Sequence, residues 1–198
     1  LQDVWGDEFE KLFVKYENDM KYRIQIPAEE LWEKIINTQI ETGLPYIMYK
    51  DSVNRKSNQK NYGTIKSSNL CTEITEYSDT NETAVCNLAS LCLPNYVENG
   101  EFNYELLSLK VQELVHNLNN GIDINYYPTK ESRESNLKHR PIGIGVQGLA
   151  DVFMILKIPY DSLEAKKINT NIFECIYYNA IFKSIELSKK DGPYSTFE

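Results

Sequence analysis

Apolar positions recur at helical spacing in several stretches of the chain. Val4, Trp5, Phe9, Leu12, Phe13 and Tyr16 predict a short amphipathic helix within residues 1–26. Leu31, Trp32, Ile35, Ile36 and Ile40 form the buried stripe of a second helix. Pro27, Glu29 and Glu30 lie in its first turn, and Gly43 and Pro45 end it. Tyr46 to Tyr49 then reads as a short buried strand. Residues 50–67 are a polar loop with a short helix around Val53–Lys56, and 76–82 form a second polar turn that leaves Asn81-Glu82-Thr83 solvated. Ala84 to Leu93 is an apolar element ending at Pro94. A third helix spans about 103–120, with Leu107, Val111, Leu114, Val115 and Leu118 on one face and Gly121 as its stop. Ile122–Pro128 is a further strand candidate, followed by a charged loop at 130–140. A helix follows Pro141–Val146 and stops before Pro159. The last helix starts at Ser162, buries Ile168, Ile172 and Ile176, and ends near Lys189, Lys190, Gly192 and Pro193. Strands alternating with helices mean an α/β architecture, with too few strands to close a barrel.

The 198 residues are 41% hydrophobic and 25% charged, the balance of a soluble globular chain. A net charge of −8 argues against a nucleic-acid surface, because phosphate contacts need clustered Lys and Arg. No apolar run approaches a membrane span, and no signal peptide opens the chain. Leu1 in place of Met, and an end at Glu198 without tail character, lead us to expect an excised segment. The cysteines at 71, 86, 92 and 175 form no C-x-x-C pair. With His116 and His139 they make no zinc spacing, so no metal site is expected.

The chemistry concentrates in Asn69-Leu70-Cys71-Thr72-Glu73-Ile74. If the stretch is extended, Asn69, Cys71 and Glu73 share one face within roughly 13–14 Å. That face would carry a carboxamide, a thiol and a carboxylate. A half-buried strand with incidental polar residues is the ordinary meaning of such a pattern. Gly143-x-Gly145-x-x-Gly148 matches a dinucleotide fingerprint, but Lys138-His139-Arg140-Pro141 precedes it and no acidic strand end follows at the right distance. We read the glycines as a tight strand-to-helix connection.

The surrounding blocks displace the ordinary meaning of the 69–74 stretch. They are Asn54-Arg-Lys-Ser-Asn-Gln59, Gly63-Thr-Ile65, Ala84-Val-Cys86-Asn-Leu-Ala-Ser90, Asp123-Ile-Asn-Tyr-Tyr-Pro128 and His139-Arg-Pro-Ile-Gly-Ile-Gly-Val-Gln-Gly-Leu149. Together with Asn69–Glu73 they resemble the large, catalytic subunit of class I ribonucleoside-diphosphate reductase of the eukaryotic type, over essentially the whole chain. The resemblance implies part of that family's α/β barrel, with residues 1–198 a piece of the catalytic domain and a finger loop carrying a cysteine into the barrel. It implies that Cys71 becomes a transient thiyl radical, Glu73 is the general base, Asn69 hydrogen-bonds substrate, and Cys86 is one of two redox thiols.

The second redox cysteine, the N-terminal effector region and the C-terminal part are expected to lie outside this chain, which alone should not turn over. The resemblance further implies a radical cofactor in a small partner subunit and ATP or dNTP effectors on the N-terminal region. It implies self-association of large subunits, thioredoxin or glutaredoxin as reductant, ribonucleoside diphosphate substrates, and a cytoplasmic location without nucleic-acid or membrane partners. Two alternatives stand beside it: a related reductase dependent on adenosylcobalamin or a glycyl radical, and a non-catalytic α/β interaction module. Cys92 is too far along a strand from Cys86 for a bridge. Cys175 is expected in the core, His116 on a helix surface and His139 in a loop.

Overall fold

A computed structural model describes residues 1–19 and 24–197, so the end of the 1–26 segment falls partly outside the described residues. The chain divides into two compact units, 1–83 and 84–198.

The first unit holds α1 (Gly6–Glu17), α2 (Ala28–Thr42) and α3 (Lys50–Lys56), followed by a long irregular segment. The stop signal at Gly43 acts as expected: it sits left-handed at φ 76° and its N–H closes the last turn on Gln39 O. The stripe on α2 is where expected, but it is not buried. Trp32 is 55% and Ile40 78% exposed, because periodicity shows which face is apolar and not whether anything covers it. Tyr46–Tyr49 forms no strand, and Tyr46, Ile47 and Tyr49 are exposed. α3 starts three residues earlier than expected. Its Lys50 reaches back to the carbonyls of Gln2 (2.7 Å) and Val4 (2.9 Å), which ties the entry to α1 onto α3.

In the second unit, β1 (Leu88–Cys92) pairs in parallel with β4 (Gly143–Gln147), from Leu88 opposite Gly143 to Cys92 opposite Gln147. Between them lie a 3-10 turn (Leu93–Tyr96), a hairpin of β2 (Val97–Glu98) and β3 (Glu101–Phe102), α4 (Tyr104–Ile124) and α5 (Lys130–His139). The hairpin turns on Asn99 and Gly100, both at positive φ, an Asn-Gly signal absent from the pattern reading above. α6 (Leu149–Leu156) and the long α7 (Leu163–Asp191) complete the unit. Leu91, Leu93, Leu107, Val111, Val152, Phe153, Ile172 and Ile176 make its core, with α4 lying along α7.

The fold departs from the sequence pattern at four further places, three in the second unit and one, Glu82, in the first. α4 runs through Gly121 to Ile124, so Ile122–Pro128 is not a strand and Ile122 is a core residue 1% exposed. Residues 130–140 are not a loop but α5, whose buried face is Ser132, Ser135, Asn136 and His139. That i, i+3, i+4, i+7 stripe is helical but polar, so hydrophobic periodicity cannot detect it. His139 is accordingly buried, with Nδ1 2.8 Å from Thr196 Oγ1. Glu82, expected in a solvated loop, is 5% exposed.

The glycines of 143–148 do serve a tight strand-to-helix connection. A Cβ on Gly143 would lie 2.5 Å from Leu88 Cδ2, and one on Gly148 (φ 78°) 2.6 Å from the Pro94 ring. The strand itself runs through the motif and leads into α6.

Candidate functional site

The site residues of the first unit sit on a two-limbed loop after α3. Asn54, 2% exposed, clamps the start of the outgoing limb: its Oδ1 accepts from Ile65 N (2.7 Å) and its Nδ2 donates to Ile65 O (3.0 Å). Lys66 pairs with Asp3, holding the Asp3 carboxyl below and the Lys66 ammonium above their ordinary values through that hydrogen bond. The returning limb is clipped to the outgoing one by Tyr77. Its N–H donates to Gln59 Oε1 (2.8 Å), and its ring meets Tyr62 edge-on at 4.8 Å. Gly63 lies under the same ring, where a Cβ would come 2.2 Å from Tyr77 Cε2. Asn54, Gln59 and Gly63 belong to the blocks that carried the resemblance, so these blocks hold the loop in shape. Their roles required contacts across sequence and could not be read from spacing.

At the tip the chain is not extended. Thr72 N donates to Asn69 O (3.2 Å) and Thr72 takes φ 65°, so residues 69–72 form a turn. The reading that Asn69, Cys71 and Glu73 share a strand face is therefore corrected: the alternation of side chains fails where the backbone turns. The turn is closed from below, with Asn69 Oδ1 accepting from Ile74 N (3.2 Å) and Ser68 Oγ donating to Ile74 O. Asn69 is half-buried, while Cys71 and Glu73 are exposed. Because its amide oxygen is committed to the loop, Asn69 has its amide nitrogen to offer a ligand. The turn thus presents a thiol and a carboxylate outward on a braced support. Three residues past Glu73, burial pushes the Glu76 carboxyl up to about 7.

In the second unit Cys86 is exposed, on the irregular stretch that enters β1. Its neighbour Asn87 is tied in place. Asn87 Nδ2 donates to Asn136 Oδ1 (2.6 Å) and Pro141 O (2.8 Å), and Asn136 Nδ2 donates back to Asn87 Oδ1 (3.2 Å). Cys92 is half-buried on β1. Cys175 is half-buried on α7 against the core rather than within it, its thiol raised by burial and donating to Tyr104 O (3.6 Å). None of the four cysteines is in a disulfide. His116 is half-buried on α4, with Nε2 3.2 Å from Asn120 Nδ2. Among the described residues no three His, Cys, Asp or Glu cluster to hold a metal, and no helix is long and apolar enough to cross a membrane.

The family described as ribonucleotide reductase, barrel domain, matches residues 1–198. The chain belongs to this ribonucleotide reductase family. The variola virus ribonucleoside-diphosphate reductase large subunit is 57% identical over 197 residues, covering 100% of this chain and 26% of the relative. The Caenorhabditis elegans large subunit is 56% identical over 199 residues, covering 100% and 25%. Among solved structures, the Actinobacillus ureae class Id ribonucleotide reductase alpha subunit superposes with a TM-score of 0.70 at 26% identity, covering 94% of this chain and 35% of that one. This ribonucleotide reductase segment therefore spans about a quarter of the length of those curated relatives. Its parallel β1–β4 pair and flanking helices are part of a barrel domain, and no closed barrel forms among the described residues.

Proposed function

We propose that the protein carrying this segment reduces ribonucleoside diphosphates to 2′-deoxyribonucleoside diphosphates by thiyl-radical chemistry. The observation that carries the proposal is the braced turn that presents Cys71 between Asn69 and Glu73 in a chain matched end to end by large-subunit relatives. In this scheme a small partner subunit's radical cofactor supplies the oxidising equivalent. Cys71, as a thiyl, removes the hydrogen atom from C3′ of the ribose. Glu73 takes the 3′-hydroxyl proton, work suited to an accessible carboxylate within hydrogen-bond reach. Asn69 Nδ2 donates to the ribose and orients it. Cys86 and a second thiol outside this chain become a disulfide, giving two electrons and two protons as the 2′-oxygen leaves as water.

The names of the relatives, large subunit and alpha subunit, support a two-component enzyme over the adenosylcobalamin or glycyl-radical alternative. Self-association of large subunits, thioredoxin or glutaredoxin as reductant, nucleotide effectors elsewhere on the chain and a cytoplasmic setting belong to the same proposal.

The deciding assay measures deoxyribonucleotide formation by the complete large chain with its small subunit. Cys71→Ser is expected to lose about a thousandfold or more of the activity, with circular dichroism unchanged. Activity kept in that variant would remove Cys71 from the chemistry and return Asn69 and Glu73 to ordinary loop residues.

A further inference from the structure

Asn136 is 0% exposed, yet it is an amide on a helix with little apolar content. Its side chain joins Asn87 on one side to Tyr127 on the other. Its oxygen accepts from Asn87, and its nitrogen donates to Asn87 Oδ1 and to the Tyr127 hydroxyl, which in turn donates to Ile122 O (2.6 Å) at the end of α4. Asn87 is held on two further sides, by Pro141 O through its side chain and by Gly143 N, which donates to Asn87 O (2.9 Å) ahead of the β1–β4 ladder. A reciprocal amide pair with one member fully buried and the other half-buried adds little net stability over apolar packing. What it supplies is direction, because each bond has a fixed geometry. The residue it fixes is the one next to Cys86, whose side chain is exposed.

We propose that Asn136, backed by Tyr127, is a positioning residue for the Cys86 thiol: it locks the peptide that follows Cys86 so that the sulfur is held where its partner thiol can reach it. The inference rests on the reading of Cys86 as a redox thiol. Each catalytic cycle converts two thiols to one disulfide, and the returning reductant restores them. A thiol held in place has a high effective concentration toward its partner, which favours the disulfide over mixed species with a free thiol. Loosening Asn87 lowers that advantage without touching the ribose-binding tip.

The test uses the full-length large chain equilibrated in glutathione redox buffers, quenched and mapped at Cys86, together with steady-state kinetics in the presence of its small subunit. Asn136→Ala and Tyr127→Phe are expected to lower the equilibrium constant for the Cys86 disulfide by about three- to tenfold, the worth of one or two hydrogen bonds. They should lower kcat and leave KM for the ribonucleotide unchanged. Ile176→Val, a core change in the same unit, serves as the control for lost stability alone and is expected to leave the disulfide equilibrium in place. A shift below twofold in both variants, or an equal shift in Ile176→Val, overturns the proposal. If Asn136→Ala fails to fold, Tyr127→Phe decides, since it removes one hydroxyl and keeps the ring. Cys86→Ser separates the two levels: full turnover in that variant would overturn the redox role of Cys86 itself, whatever the Asn136 variants show.

Discussion

Glu76 shows how the two-limbed loop after α3 couples to pH. Its carboxyl titrates at about 7 because burial penalises the charged form, against 4.5 for the exposed group. The folded state therefore holds the proton more tightly than the unfolded chain does, and its contribution to stability is complete below about 4.5. That contribution is lost as the pH rises through about 7. Denaturant melts from pH 5 to 8 are expected to show stability falling with pH, and Glu76→Gln to flatten that dependence. An unchanged slope in the variant would assign the dependence to other groups. No sequence pattern marks Glu76 apart from its neighbours, since its burial depends on the folded loop. Cys71, by contrast, is legible by its company, although the turn at Thr72 that presents it is not: a left-handed threonine has no sequence signature of its own.

Among the elements, α5 and the β4–α6 connection mark opposite limits of what patterning can reveal. α5 is capped at both ends, by Thr129 accepting from Ser132 N (3.2 Å) and by Arg140 at φ 48°. The Arg140 guanidinium grips both oxygens of Asp123 at 2.8 Å, and that hydrogen-bonded contact holds the Asp123 carboxyl below its ordinary range. These are side-chain contacts between positions 17 residues apart, invisible to any local window. The glycines before α6 are visible as a motif, and their reason is steric. Gly148→Ala meets both a left-handed φ and the Pro94 ring, so a loss of about 2–3 kcal/mol in unfolding free energy is expected. Gly121→Ala, in a helix interior with open space around it, should stabilise α4 by up to about 1 kcal/mol, and paired thermal melts of the two variants check both signs.

At the scale of the whole molecule, the core of residues 84–198 is the α4–α7 pair with β1 and α6 packed against it. Ile172, 0% exposed, sits in that core, and Ile172→Ala is expected to cost about 2–5 kcal/mol, read as a lowered urea midpoint. The sequence by itself determined the amphipathic helices α1, α2 and α4, the long helix α7, the caps at Gly43 and Ser162, the membership of the ribonucleotide reductase family, and Asn69, Cys71, Glu73 and Cys86 as candidate site residues. It could do so because helical periodicity, capping chemistry and motif spacing are local properties of the chain. Only the tertiary structure decided that the apolar stripe of α2 stays uncovered, that residues 130–139 form a helix seated on a polar face, that the 69–72 stretch turns rather than extends, and that Asn87 is bound to Asn136. Three of these depend on which distant atoms meet, and the turn depends on a left-handed Thr72 with no signature in the sequence; burial and a closed hydrogen bond are relations between atoms in space, and a linear pattern does not contain them.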